Sequence, residues 1–279
     1  MHLVTSLVLL WVVYAFSHGI SARADTIVDL ELVLAVDISL SMQADEQKLQ
    51  RDGYISAFRD NALARAIQAG PQGRIAVTYI EWAGDEMQSV IVPWRVVATA
   101  SDARQFADEL ARQPISRARM TSISGAMEFG ANLFRSNGFE GLRRVIDVSG
   151  DGPNNAGRNV EAARDSLSHA GVTINGLPIM VRSIGPWGGY FEIPALDRYY
   201  RDCVIGGPGA FALAVRDVAE FATAIRQKLL LEIAGRMPPS LMNVKQKVRV
   251  QFGAEIEKYD CLIGEKRWQQ FIRERGDDW

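Results

Sequence analysis

The chain is 279 residues long, is 48% hydrophobic, and sets 31 Lys+Arg against 33 Asp+Glu for a formal net charge of -2. That composition belongs to a folded globular protein and excludes a disordered or collagen-like chain. The balanced charge argues against a nucleic-acid binder, which needs a basic excess or stripe, and the two cysteines, Cys203 and Cys261, are too few for a disulfide scaffold or a Cys-based zinc site.

Leu3 to Phe16 is apolar apart from Thr5 and Ser6. It is short for a membrane span, which needs about 20 residues. Ala22-Arg23-Ala24 follows, with small residues where a signal peptidase wants them. Residues 1–24 therefore read as a signal peptide, and the expected product is exported, periplasmic or secreted, with no span after cleavage. Oxidation of Cys203 and Cys261 is then permitted, though their pairing is not legible. His2 and His18 leave with the leader, so His169 alone remains. One histidine builds no His-rich zinc site. It stands where Gly171 ends a helix, a position that suits its charge to the helix dipole. Gly-x-Ser-x-Gly, Walker A and Cys-x-x-Cys signatures are absent.

The elements follow in order. Val28 to Val36 reads as a buried central strand. Ala44 to Gln68 reads as one helix with Leu49, Tyr54, Ile55, Phe58 and Ala62 near one face, ended by Gly70-Pro71. Arg74 to Trp82 and Gln88 to Val97 read as strands joined by a short link, an antiparallel hairpin whose Pro93 puts the second strand at an edge. Ser101 is expected to cap a helix running to Arg112. Thr121 and Ser122 open another, to about Phe134. Arg143 to Ser149 is a strand, Asn159 to His169 a helix, and Val172 to Val181 a strand. Ile205 to Val215 holds a short strand, and Arg216 to Ile233 is a helix stopped by Gly235. Alternating strands and helices predict an α/β fold: a mostly parallel sheet with helices on both faces. Met237-Pro238-Pro239-Ser240 marks a boundary. One domain is expected over 25–235, followed by a partly ordered appendage over 236–279 with a possible strand (Val-Arg-Val-Gln-Phe) and helix (Glu265 to Arg275).

Asp37 falls at the carboxyl end of the buried first strand, with Ser39 and Ser41 at alternate positions after it. Ligand sites of open parallel sheets lie in the crevice at those strand ends. Asp151 follows a later strand in Ser-Gly-Asp-Gly-Pro-Asn-Asn, and Thr121 sits in a loop before a helix. Three such loops can converge. Oxygen-only ligands select a hard cation, Mg²⁺ first, with Mn²⁺ or Ca²⁺ as alternatives. Two carboxylates balance a divalent charge, and the neutral hydroxyls leave the ion electrophilic. Asn154 and Asn155 border this point, as rim contacts to a partner or as caps of the next helix. Gly152 suits a tight turn there.

Asp37-x-Ser39-x-Ser41 with the later Thr121 and Asp151 resembles the metal-ion-dependent adhesion site of von Willebrand factor A-like domains, over about residues 27 to 234. The resemblance implies that Ser39, Ser41 and Thr121 contact the ion through hydroxyls, and that Asp37 and Asp151 bind it directly or through water. It also implies an α/β fold that is a doubly wound, mostly parallel sheet with one antiparallel edge strand and helices on both faces. An ion held by two carboxylates and neutral hydroxyls keeps water or an open position that a protein partner's carboxylate can fill. The segments Tyr-Ile-Glu-Trp-Ala-Gly, Asp-Val-Ser-Gly-Asp-Gly-Pro-Asn-Asn and Arg-Asp-Cys-Val-Ile-Gly-Gly-Pro-Gly-Ala-Phe look like an exported bacterial branch of unknown function. A non-enzymatic binding module is the expected role.

Competing readings are weaker. Asp147-x-Ser149-x-Asp151-Gly152 mimics a calcium loop, yet Arg158 stands where the twelfth-position Glu belongs, and Asp147 reads as a paired polar group within a strand. Gly206-Gly207-Pro208-Gly209 is better explained by turn chemistry than by phosphate binding. Trp82, Trp94 and Trp187 read as core or edge packing. The alternative function is a metal-dependent phosphohydrolase with Asp37 as nucleophile. That chemistry wants a second acid two residues on, where this chain has Ser39.

Overall fold

The computed structural model describes residues 25–181, 192–235 and 258–275. Residues 1–24, read as a signal peptide, lie outside them, as do Trp187 and the strand expected near 248–252. Five strands form the main sheet: β2 (Glu31–Asp37), β3 (Ile75–Trp82), β4 (Gln88–Val97), β6 (Arg144–Gly150) and β7 (Val172–Pro178). Their order is β4-β3-β2-β6-β7. All pairs are parallel except β3 with β4, which is antiparallel and places β4 at the edge. This is the doubly wound, mostly parallel sheet predicted, with β2 at its centre. The first expected strand is split, because Thr26–Val28 forms β1 and pairs with β5 (Phe139–Gly141) in a separate two-stranded ribbon.

The alternation along β2 explains the two layers. Leu32, Leu34 and Val36 enter one core, while Val33 and Ala35 enter the other. A strand buried on both faces needs apolar residues in both registers. The first core lies under α1 (Ala44–Arg59), α2 (Asn61–Gln68), α3 (Ala100–Ala111) and α7 (Phe221–Ala234). The second lies under α4 (Ile123–Leu133), α5 (Val160–His169) and the turn α6 (Leu196–Tyr199), which runs on as a π-helical turn over Tyr200–Val204. Trp82 is fully buried there, and Trp94 packs against Phe134 at the edge. His169 ends α5 as expected.

Several elements differ from their predicted bounds. The helix expected over Ala44 to Gln68 breaks at Asp60, whose carboxylate accepts from Ala62 N and caps a second helix. Leu49, placed on the apolar face by periodicity, is exposed. Ile205 to Val215 forms no strand; Gly206, Ala212 and Val215 make only isolated bridges to 174–179. Arg216 to Ile233 starts as a short 3-10 turn, and the regular helix begins at Phe221 and closes on Gly235 in the left-handed region, φ 62°.

The α3 cap is Thr99, not Ser101. Thr99 Oγ1 accepts from Asp102 N at 3.2 Å, and Asp102 Oδ2 accepts from Thr99 N at 2.9 Å, a reciprocal capping box. Thr99→Ala is therefore expected to cost about 1 kcal/mol, whereas Ser101→Ala should stay within about 0.5 kcal/mol of wild type. Urea unfolding of the two variants checks this, and equal losses would refute the assignment.

Candidate metal centre

Asp37 is the last residue of β2 and is fully buried. Its Oδ1 accepts from Ser39 N at 2.6 Å, and this Asx-type turn swings the chain off the sheet. Ile38 N still reaches Trp82 O at 2.9 Å, so the turn begins where the β3 ladder stops. Ser39 Oγ and Ser41 Oγ lie 2.8 Å apart, and Ser41 Oγ donates to Asp151 Oδ1 at 2.7 Å. Two loops 110 residues apart in sequence are thereby joined, and four of the five sequence-predicted residues form one connected group.

Thr121 joins through its backbone. Its N donates to Asn155 Oδ1 at 2.8 Å, and its carbonyl accepts from Asn155 N at 2.8 Å. It is nearly buried, at 5% exposure. The loop before it lies along the first turn, because Ala118 N donates to Ile38 O at 3.0 Å and Ser39 bridges Ala118. Arg117 fastens the same loop to the carbonyls of Leu40 and Met42.

The electrostatics follow from burial. Asp37 is held well above the usual carboxylate range, first by desolvation and then by the neighbouring charge of Asp151; the Ser39 donors and the nearby Asp151 backbone N–H offset this only in part. Asp151 is pushed up to about 7, chiefly by desolvation, with the charges of Glu46 and Glu192 adding to it against the Ser41 hydrogen bond. Asp37 Oδ2 is buried with no hydrogen-bond partner among the described residues. An ionised oxygen in that state is costly unless a cation meets it. No cluster of three or more His, Cys, Asp or Glu side chains is placed to hold a metal among the described residues. The donor set at Asp37 is instead two carboxylates with hydroxyls, which fits a hard divalent ion.

Two features were not foreseen. A Cβ on Gly150 would stand 2.8 Å from Asp37 Oδ2 and 3.0 Å from the Tyr200 hydroxyl, so only glycine lets β6 end beside the buried carboxylate. At Gly152, the glycine chosen from sequence, a Cβ would meet nothing within 4 Å and the backbone is not left-handed. The Gly before Asp151 carried the only available signal. The second feature is Asn154. It is fully buried, which excludes the rim contact proposed for it, and it does not cap the next helix, because Asn159 does. Its Oδ1 accepts from Ser124 N at 3.1 Å in the first turn of α4, the preceding helix. Asn155 is half-buried beside Thr121.

Residues 27–237 match the family described as "Protein of unknown function (DUF1194)". No curated protein matches the chain. Among solved structures, proximal thread matrix protein 1 from the mussel byssus superposes with a TM-score of 0.52 at 14% identity, over 75% of this chain and 49% of that one. Another structure of that protein, described as having a zinc-occupied MIDAS motif, gives 0.51 at 13% identity over 75% and 47%. A von Willebrand factor type A structure from Catenulispora acidiphila gives 0.51 at 13% over 74% and 43%. The pilus adhesin SpaC of Lactobacillus rhamnosus GG in its open conformation gives 0.51 at 11% over 76% and 31%. This chain thus spans about half or less of those proteins, and at such identities the likeness is one of fold. With well over half of its length inside the family match, the chain belongs to the DUF1194 family of unknown function, and its fold is like that of the von Willebrand factor type A structure.

Proposed function

We propose that this chain is an exported, non-enzymatic binding module in which a divalent cation, held by Asp37, Ser39, Ser41, Thr121 and Asp151, bridges to a carboxylate of a protein partner. When bound, the ion supplies positive charge and an open coordination position. The observation that carries the reading is the buried, unpartnered Oδ2 of Asp37 beside a second carboxylate. The protein's own part is to hold these oxygens: the Ser39 N–H fixes Oδ1 of Asp37, and the two serine hydroxyls link it to Asp151. The mussel protein, described with a zinc-occupied MIDAS motif, and the SpaC pilus adhesin lend support as proteins that contain this fold. Mg²⁺ is the first choice of ion because the donors are all oxygen.

Export rests on the leader read from residues 1–24 and on the Cys203–Cys261 disulfide, which persists in oxidising compartments. No helix among the described residues is long and apolar enough to cross a membrane. A phosphohydrolase gains no support: Asp37 is fully buried, and Ser39, not an acid, stands two residues on.

Titrating Mg²⁺ or Mn²⁺ into wild type and Asp37→Ala tests the site. Wild type should bind and, at 100 times Kd, gain about 2.7 kcal/mol of stability, while the variant gains none. Identical thermograms with no melting shift in either protein would defeat the reading.

A further inference from the structure

Of the appendage expected over 236–279, the structure describes residues 258–275. Residues 258–275 dock on the second core, and Ile263–Arg275 form the helix α8. The Cys203–Cys261 disulfide ties the segment to the π-helical turn, with both cysteines buried. Tyr259 packs edge-on against Tyr199, ring centroids 5.8 Å apart, and donates to Pro194 O. Lys258 pairs with Glu161 of α5. Residues 258–275 themselves lie beyond the residues that match the family, while the groups they dock on lie within them.

The helix start meets the candidate metal centre at Asn154. Glu265 Oε1 accepts from Asn154 Nδ2 at 2.8 Å, completing an amide that also serves Ala156 O and, through Oδ1, Ser124 N. Asn154 N donates to the Tyr199 hydroxyl at 3.1 Å. A Cβ on Gly264 would stand 2.0 Å from Asn154 O, so the helix backbone lies directly on the loop. That loop carries Asp151 at one end and, through Asn155, grips Thr121 at the other.

We propose that residues 258–275 are a disulfide-tethered brace that positions the 151–156 loop, with Glu265 the positioning residue and Asn154 the group it acts through. The inference rests on the ion-site reading for its effect on affinity, but not for its effect on the loop. Partners that orient ligand-bearing groups typically change metal affinity by about 10–100-fold when removed. Glu265→Ala removes the acceptor, Gly264→Ala pushes the helix off, and Cys261→Ser cuts the tether. Glu265→Gln keeps an acceptor oxygen for Asn154 and serves as the rescue.

Two readouts separate the possible failures. Hydrogen exchange of the Asn155 and Ala156 amides, which bond to Thr121 O, is measured without metal. Mn²⁺ affinity is measured by calorimetry. The expected result is faster exchange and about tenfold weaker Mn²⁺ binding in Glu265→Ala, Gly264→Ala and Cys261→Ser, with Glu265→Gln close to wild type. Faster exchange in a protein whose wild type binds no Mn²⁺ would support the brace while the ion-site reading fell. Unchanged exchange in Glu265→Ala and Gly264→Ala would overturn the brace, as would unchanged affinity despite faster exchange.

Discussion

Lys228→Met is expected to destabilise the fold by about 3–5 kcal/mol, the range for removing one partner of a buried charge group. Lys228 projects from α7 and is 1% exposed. Its ammonium meets Asp147 of β6 and, at 2.6 Å, Glu232 one helical turn on. Asn175 of β7 donates to Glu232 at 2.9 Å, and its Oδ1 accepts from Phe211 N. One ammonium thus holds two buried carboxyls, and deleting it leaves both without a cation. Glu232 is already pushed up to about 7, by desolvation first and by the charge of Asp147 second. A folded-state value above the ordinary 4.5 means that its stabilising contribution is complete below 4.5 and is lost as pH rises through 7. The loss in Lys228→Met should therefore be larger at pH 8 than at pH 5. Glu232→Gln, which keeps the Asn175 bond and leaves a one-to-one ion pair, should flatten the pH dependence relative to wild type across that window. Urea unfolding at both pH values checks the sign. A Lys228→Met loss that is equal at both, or a steeper slope in Glu232→Gln, would refute the account.

The triad also shows where sequence reading stops. The strand of Asp147 was legible, because Arg-Val-Ile-Asp-Val-Ser is β-rich and bounded by turn residues. That Asp147 is a paired group within the strand was legible too, since a calcium loop failed at Arg158. Its partners Lys228 and Glu232 were not, because they look like the ordinary polar face of an amphipathic helix. The same division runs through the rest of the molecule. Asp37 at a strand end, Ser39 and Ser41 after it, and Asp151 after a later strand are local patterns, and the sheet order brings them together. The parallel sheet and its antiparallel edge followed from strand–helix alternation and from Pro93. The break at Asp60 was hidden because α1 and α2 share one continuous helical pattern, and only the cap at Ala62 N reveals the corner. The cap of α3 was misplaced by two residues because Thr99 and Ser101 are both good caps, and the choice falls to whichever finds an acid at N3. Contacts such as Glu265 with Asn154, 111 residues apart, and the pairing of Cys203 with Cys261 have no local signature. They depend on where the chain returns.

Asp37→Asn is the substitution on which stability and binding should part. In the folded protein Asp37 Oδ1 is satisfied by Ser39 N, and the amide oxygen of Asn can accept the same bond. Oδ2 is the atom in trouble: buried, unpartnered among the described residues, and close to the charge of Asp151. An amide N–H in its place is neutral, and it stands on the same side of Gly150 as the Tyr200 hydroxyl. Replacing the carboxylate with a neutral amide removes the desolvation cost of the buried charge and the repulsion from Asp151, so the metal-free variant should melt above metal-free wild type. The amide nitrogen cannot serve as a ligand to a hard cation, and one of the two balancing charges is gone. Mg²⁺ should then leave the variant's melting temperature unchanged while raising that of wild type. Functional sites commonly hold such a group at the expense of stability, because the tension that an ion would relieve is the tension that makes it bind. Calorimetric melting of both proteins with and without Mg²⁺ decides the matter. A variant that melts below wild type in the absence of ion would mean that Asp37 is a structural residue, held by contacts that need its charge.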